Sequence, residues 1–125
     1  MMESSKPSKQ RKAHYTRPLH SLQKKVGAAL SKELRKEVKR RSIGIKKGDT
    51  AKIVRGSKKF VGKQGKVTAV NRMKMQVLIE GITRKRVDGT EKQVPFRPSN
   101  LVLVAIDEQG GRRLKKTKGE VKKNG

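Results

Sequence analysis

Between Gly44 and Ile106 the chain is broken into short apolar runs, the longest being the six residues Leu101–Ile106, and Gly, Pro, Asn or Asp recurs between them. Short β-rich runs at this close spacing are the pattern of a small barrel or sandwich. Strands are expected over Thr50–Arg55 and Lys66–Asn71. In Lys74–Glu80, Met75, Val77 and Ile79 alternate with Lys74, Gln76 and Glu80, which gives one packed face and one mostly polar face. Ile82–Val87 and Thr90–Val94 flank Asp88-Gly89, a two-residue hairpin signal. Leu101–Ile106, apolar throughout, should be the most buried strand. Pro95 and Pro98 fall between strands, where a missing amide donor costs little. The fold is therefore expected to be mainly β, with about five strands.

The apolar residues concentrate where the strands do. Of 39 hydrophobic residues, 24 lie in the 63 positions from Gly44 to Ile106, so a core can form there and the flanks cannot fold independently. Positive charge is spread differently: residues 1–43 carry +10, residues 44–106 carry +11 and residues 107–125 carry +4. One small domain over 44–106 with two basic arms, 1–43 and 107–125, is the division this implies. In the N-terminal arm, Pro18 can open a short helix through about Val26, and Ser31 can cap a second over Lys32–Arg40. Leu30, Leu34 and Val38 recur every fourth residue along that second helix and give it a narrow apolar stripe. Residues 107–125 are polar, lysine-rich and aperiodic, and are expected to be disordered until bound. The first 30 residues are likewise expected to order only on binding.

A net charge of +25 on 125 residues opposes compaction unless an anionic partner neutralises it, and nucleic acid is the leading candidate. A basic membrane-surface protein would set its charge beside a helical stripe of Leu, Phe or Trp, yet Trp is absent and there are only two Phe and one Tyr. No apolar run approaches the about 20 residues of a membrane span, and Met1–Lys12 has no apolar signal core. A cytoplasmic location is expected. The absence of Cys removes disulfides, thiolate zinc sites and Cys nucleophiles together.

Between Lys47 and Val67 a turn (Gly48-Asp49), an apolar run (Ala51, Ile53, Val54) and a loop bracketed by Gly56, Gly62 and Gly65 follow one another. Glycine lets another backbone approach closely, and with Lys58, Lys59 and Lys63 between the glycines that backbone should be a polyanion. Gly48-Asp49, Ile53-Val54, Gly56 and Gly65-Lys66-Val67 resemble the KOW motif, an element of SH3-like barrels in ribosomal and transcription-elongation proteins. The arm Ser8–Tyr15, the run Leu30–Arg35 leading to Arg41-Ser42, the segment Val77–Ile82, and then Asp88-Gly89 and Pro98–Leu101 extend the likeness. Together, over roughly residues 8 to 106, these segments resemble the archaeal and eukaryotic family of large-subunit ribosomal protein twenty-four. The short overall length is similar to that of archaeal members.

The resemblance implies an SH3-like barrel bound to the 5′ domain of large-subunit RNA, beside neighbouring ribosomal proteins and the outer mouth of the peptide exit tunnel. It also implies a role in starting subunit assembly, with no small-molecule substrate, no cofactor, no metal and no homo-oligomer. Arg11, Lys12, His14, Tyr15 and Arg17 place cations around one aromatic, which suits an extended arm whose charges meet phosphates while a ring stacks on a base. Arg55, Lys58, Lys59, Lys63 and Lys66 lie on or beside the glycine-bracketed loop and can contact successive phosphates. Phe60 either stacks on a base or pins that loop to the core. Arg84, Lys85 and Arg86 precede the hairpin turn and give a second phosphate contact or a charged, aggregation-resistant edge. Arg40 and Arg41 are phosphate ligands or favourable charges at a helix C-terminus.

Catalysis finds little support. Asp49, Glu80, Asp88 and Glu91 mostly sit beside turns or Gly without paired-carboxylate spacing, and Asp49 should serve its turn. His14 and His20 lie six apart in a basic arm with no carboxylate or Cys nearby, a poor metal set. The loop also lacks the Gly-x-x-x-x-Gly-Lys-[Ser/Thr] order of a nucleotide-binding P-loop. A structural RNA-binding protein of the large ribosomal subunit is the expected function. A KOW module that binds RNA polymerase would need an additional αβ domain, for which the chain has no room, and a chromatin packer would need no such ordered set of turns. Binding to cognate RNA should be steeply salt-dependent, with a log–log slope steeper than about −4 at about −0.7 per single-strand phosphate.

Overall fold

The run Leu101–Ala105 lies inside a sheet, with a strand on each side, and Leu101 and Leu103 are 1% and 0% exposed. A strand paired along both edges and packed into the core favours apolar residues, and this one is apolar from end to end, although its last two residues reach solvent. The computed structural model describes residues 4–107. In chain order these form α1 (Pro7–Thr16), α2 (Leu19–Leu22), β1 (Gly27–Leu30), α3 (Lys32–Val38) and β2 (Ser42–Gly44). They continue as β3 (Thr50–Ile53), β4 (Gln64–Asn71), β5 (Gln76–Lys85), β6 (Glu91–Phe96), a 3-10 turn at Pro98–Asn100, and β7 (Leu101–Ala105).

The fold is mainly β with helices near the N-terminus, as expected. Its ladder corrects the expectation of a small barrel of about five strands: it is one open sheet of seven, in the order β2-β1-β7-β3-β4-β5-β6. All pairings are antiparallel except β1 with β7, where Ala29 lies opposite Val102 and Leu30 opposite Leu103 in parallel. The six runs expected to be strands make up the consecutive block β7-β3-β4-β5-β6, two of them joined in β5. The additional two, β1 and β2, follow the two helices expected in the N-terminal arm and were not read as strands. Gly27-Ala-Ala-Leu30 and Ser42-Ile-Gly44 are too short and too poor in large apolar residues to show a period of two. They pair because β7 offers an edge: Ser31 donates its amide to the Leu103 carbonyl at 2.9 Å, and Leu30 donates to Arg41 at 3.1 Å.

Glycine 81 shapes the rest of the sheet. Lys74–Glu80 and Ile82–Val87, read separately in sequence, are parts of one ten-residue strand, β5, which begins at Gln76 because Met75 takes φ +54 in the preceding turn. The strand bends where Gly81 has φ +79, a conformation that favours glycine. There the register shifts, so that Leu78 faces Pro95 while Thr83 faces Gln93. The bend carries β6 back over the core, and Phe96 meets Phe60 of the β3–β4 loop edge-to-face at 5.7 Å. The sheet thus curls around Ala51, Ile53, Val67, Val77, Ile79, Leu101 and Leu103, with Val26, Ala28, Leu30, Val38 and Ile43 extending the cluster toward β2.

Both arm helices differ from expectation in extent. The helix expected from Pro18 through about Val26 is only the single turn α2, and Leu22 and Val26 are buried. The helix capped by Ser31 forms as expected, with the Ser31 hydroxyl accepting from the Leu34 amide at 3.4 Å, but it stops at Val38 because Lys39 turns left-handed (φ 56). The expectation for the C-terminal tail falls, beyond Asp107, outside the described residues.

Candidate nucleic-acid interface

The turn that leads into β3 is built around one carboxylate. Lys46-Lys47-Gly48-Asp49 closes with the Asp49 amide donating to the Lys46 carbonyl at 3.3 Å, and Gly48 takes the positive φ (+98) at the third position. Asp49 is fully buried: one carboxylate oxygen accepts from the Lys46 amide at 2.9 Å and the other from the Asp107 amide at 3.0 Å. The side chain serves its turn, as read in sequence, and it also ties the end of β7 to the start of β3. The backbone conformation at Gly48, φ +98, favours glycine there, while a Cβ would meet only the movable end of the Asp107 side chain. Gly65 is closed by contact instead, since a Cβ there would stand 2.7 Å from the Glu80 carbonyl across the sheet.

The β3–β4 loop presents the largest group of predicted contact residues. Arg55, Lys58, Lys59 and Lys63 are exposed on it, and Lys66 is exposed at the start of β4, opposite Thr50. A helical turn inside the loop is closed by Phe60 and Val61 amides donating to the Ser57 carbonyl, and the Gly62 amide donates to Ile53 at 2.8 Å. Phe60 is half-buried against Phe96, and the Lys63 ammonium stands 5.7 Å from its ring centroid. That placement anchors the loop to the core, with the cations outward.

The β5–β6 hairpin sets Arg84, Lys85 and Arg86 in solvent, as predicted, but its turn has three residues and not two. Arg86 donates its amide to the Thr90 carbonyl at 2.8 Å, leaving Val87, Asp88 and Gly89 in the loop with Gly89 at φ +91. Asp88 accepts from the Thr90 hydroxyl at 2.8 Å and from its amide at 3.1 Å, and these bonds hold its carboxyl below the ordinary value. Lys85 faces Glu91 across the ladder.

The N-terminal residues are arranged differently from the extended arm predicted for them. Arg11, Lys12, His14 and Tyr15 lie on α1, which buries no residue, and Arg17 caps its end. Pro7 at the helix start favours this conformation, and the segment has no apolar stripe from which a helix could be read. The His14 and Tyr15 rings meet edge-to-face at 5.7 Å, and Tyr15 is 73% exposed. Arg40 and Arg41 follow α3 in the segment that leads into β2; Arg40 is half-buried and Arg41 exposed. The predicted residues therefore form four separate groups, on α1, after α3, on the β3–β4 loop and on the hairpin. Sequence reasoning passed over exposed Lys52, which shares the outer face of β3 and β4 with Lys66, and Lys92, which lies opposite Arg84. Only the strand register reveals either.

Among the described residues no group of three or more His, Asp or Glu could hold a metal ion, and no helix is long and apolar enough to cross a membrane. Two acids are occupied by turns, Glu33 sits in the first turn of α3 where a helix favours negative charge, and Glu91 faces Lys85. A curled β sheet whose cations stand clear on loop, hairpin and helix defines a small, strongly cationic β protein. More narrowly, the chain belongs to the family of ribosomal protein L26 of eukaryotes and its archaeal L24 counterparts, whose model matches residues 4–117. Proteins of this family are structural and not enzymes. The chain is 42% identical over 114 residues to the large ribosomal subunit protein uL24 of Methanothrix thermoacetophila, covering 91% of this chain and 97% of that one. It is also 42% identical over 117 residues to the protein of the same name from Methanospirillum hungatei, covering 94% and 96%.

Proposed function

We propose that this ribosomal protein is a structural constituent of the large subunit, binding 5′-domain ribosomal RNA directly through its cations. By the same reading it helps to start subunit assembly, lies beside neighbouring ribosomal proteins near the outer mouth of the exit tunnel, and works in the cytoplasm. The observation that carries this is the family match over residues 4–117, joined by relatives of nearly equal length named for the large subunit. The geometry supports it physically. Basic groups at four places, on α1, after α3, on the β3–β4 loop and on the hairpin, can hold phosphates of separate RNA segments and so fix their relative position. No turnover is needed for that role. Sedimentation of a cell lysate tests it: the protein should migrate with large subunits through moderate salt. A pool that is free, or bound to RNA polymerase, contradicts it.

A further inference from the structure

The hairpin between β5 and β6 sorts its charges by face. Residues directly opposite on an antiparallel pair point to the same side, and so do residues two apart on one strand. Arg84 lies opposite Lys92, and Arg86 opposite Thr90. One face therefore carries Arg84, Arg86 and Lys92 with no acid among them, while Lys85 and Glu91 compensate each other on the other face. Like charges directly opposite, with Cβ atoms about 5 Å apart, destabilise a ladder. An anion held between Arg84 and Lys92 would reverse that cost.

An open groove of about 730 Å³ runs along this hairpin, within the range of about 300–1,000 Å³ that small-ligand sites occupy. Arg84, Arg86 and Lys92 line it, and Lys85, Gln93, Val94 and Pro95 complete its border, so it reaches round the edge of the hairpin. Val87 closes the tip with its side chain wholly in solvent, at 110% of its reference exposure. Asp88 also lines it, its carboxylate hydrogen-bonded by Thr90, so one negative charge at the tip stands against the surrounding cations. Cations thus stand beside one fully exposed apolar side chain, Val87. A phosphate alone would use the charges and leave Val87 wet. A duplex presents phosphates with its bases stacked inside. An unpaired nucleotide presents both a phosphate and an apolar face.

Resting on the RNA-binding function proposed above, we infer that this groove holds an unpaired nucleotide of RNA, its phosphate between Arg84 and Lys92 and its base toward the tip, against Val87. The probes are a ten-nucleotide oligouridylate and a ten-base-pair RNA duplex, titrated with the whole chain at several salt concentrations. Arg84→Gln with Lys92→Gln should make the oligouridylate slope shallower by about 0.7, one phosphate's worth, and should unfold at no lower a temperature than the parent. Val87→Ser, at a fully exposed position, should weaken oligouridylate binding about three- to tenfold with an unchanged slope, and should leave duplex binding as it was. Unchanged oligouridylate binding in either variant overturns the inference, as does equal weakening toward both RNAs in the valine variant. A flat salt slope for the parent protein would instead remove the RNA-binding function beneath it.

Discussion

Asp49 is the one charged side chain that is fully buried among the described residues, and it accepts the backbone amides of Lys46 and of Asp107, the latter 58 residues along the chain from it. Removing an acceptor from buried donors costs about 1–3 kcal/mol for each group left unmatched. Asp49→Ala should therefore lower stability by at least about 2 kcal/mol, read as a fall in urea midpoint; a change under about 0.5 kcal/mol would mean that the carboxylate is not what holds β7 to the turn. Asp88 sits in the opposite situation, exposed and paired with its neighbour. The Thr90 hydroxyl first, and the Thr90 amide second, hold its carboxyl below 3.8. A folded value below the unfolded one makes this contribution complete above the unfolded pKa, and it is lost as pH falls through the lowered one. Thr90→Val removes the larger cause, so an NMR titration should place the Asp88 midpoint higher than in the parent. An unmoved midpoint would contradict the hydrogen bond.

The elements differ in how firmly they are held. Helix α1 has ten residues, no side-chain cap at Lys6, no acid in its first turn and no buried residue, and isolated helices under about 12–15 residues are marginal in water. Strand β1, by contrast, is hydrogen-bonded on both sides, with Ala28 and Leu30 at 1% and 2% exposure. Hydrogen exchange on the free protein should find Pro7–Thr16 unprotected and Gly27–Leu30 protected, with α1 gaining protection when RNA is added. Equal protection of the two would overturn this division. The expected pattern would put the end of binding-coupled order nearer residue 20 than residue 30. Sequence was informative where periodicity or turn chemistry acts locally: the alternation of Val77 and Ile79, the apolar run of β7, and the Ser31 cap all have their expected structures. It was silent where tertiary pairing decides. Gly27–Leu30 becomes a strand only because β7 lies beside it, and Lys92 meets Arg84 because the turn has three residues; the two-residue turn expected from Asp88-Gly89 would have set Lys92 against Lys85. The candidate cations were easy to find for the plain reason that they are exposed lysines and arginines. Their sorting by face, which gives Arg84 and Lys85 different roles, required the ladder.

For the molecule as a whole, a charge of +25 on 125 residues is the governing quantity. A small curled sheet supplies the scaffold, and the unbalanced cations on its loop, hairpin and helix make a polyanion the natural complement. If those groups hold phosphates, binding must release counterions, and affinity must fall steeply as salt rises. The most direct measurement is a titration of the full chain against its cognate large-subunit RNA over several salt concentrations. A log–log slope steeper than about −4, equivalent to about six phosphate contacts, is the predicted result; a nearly flat line would contradict it.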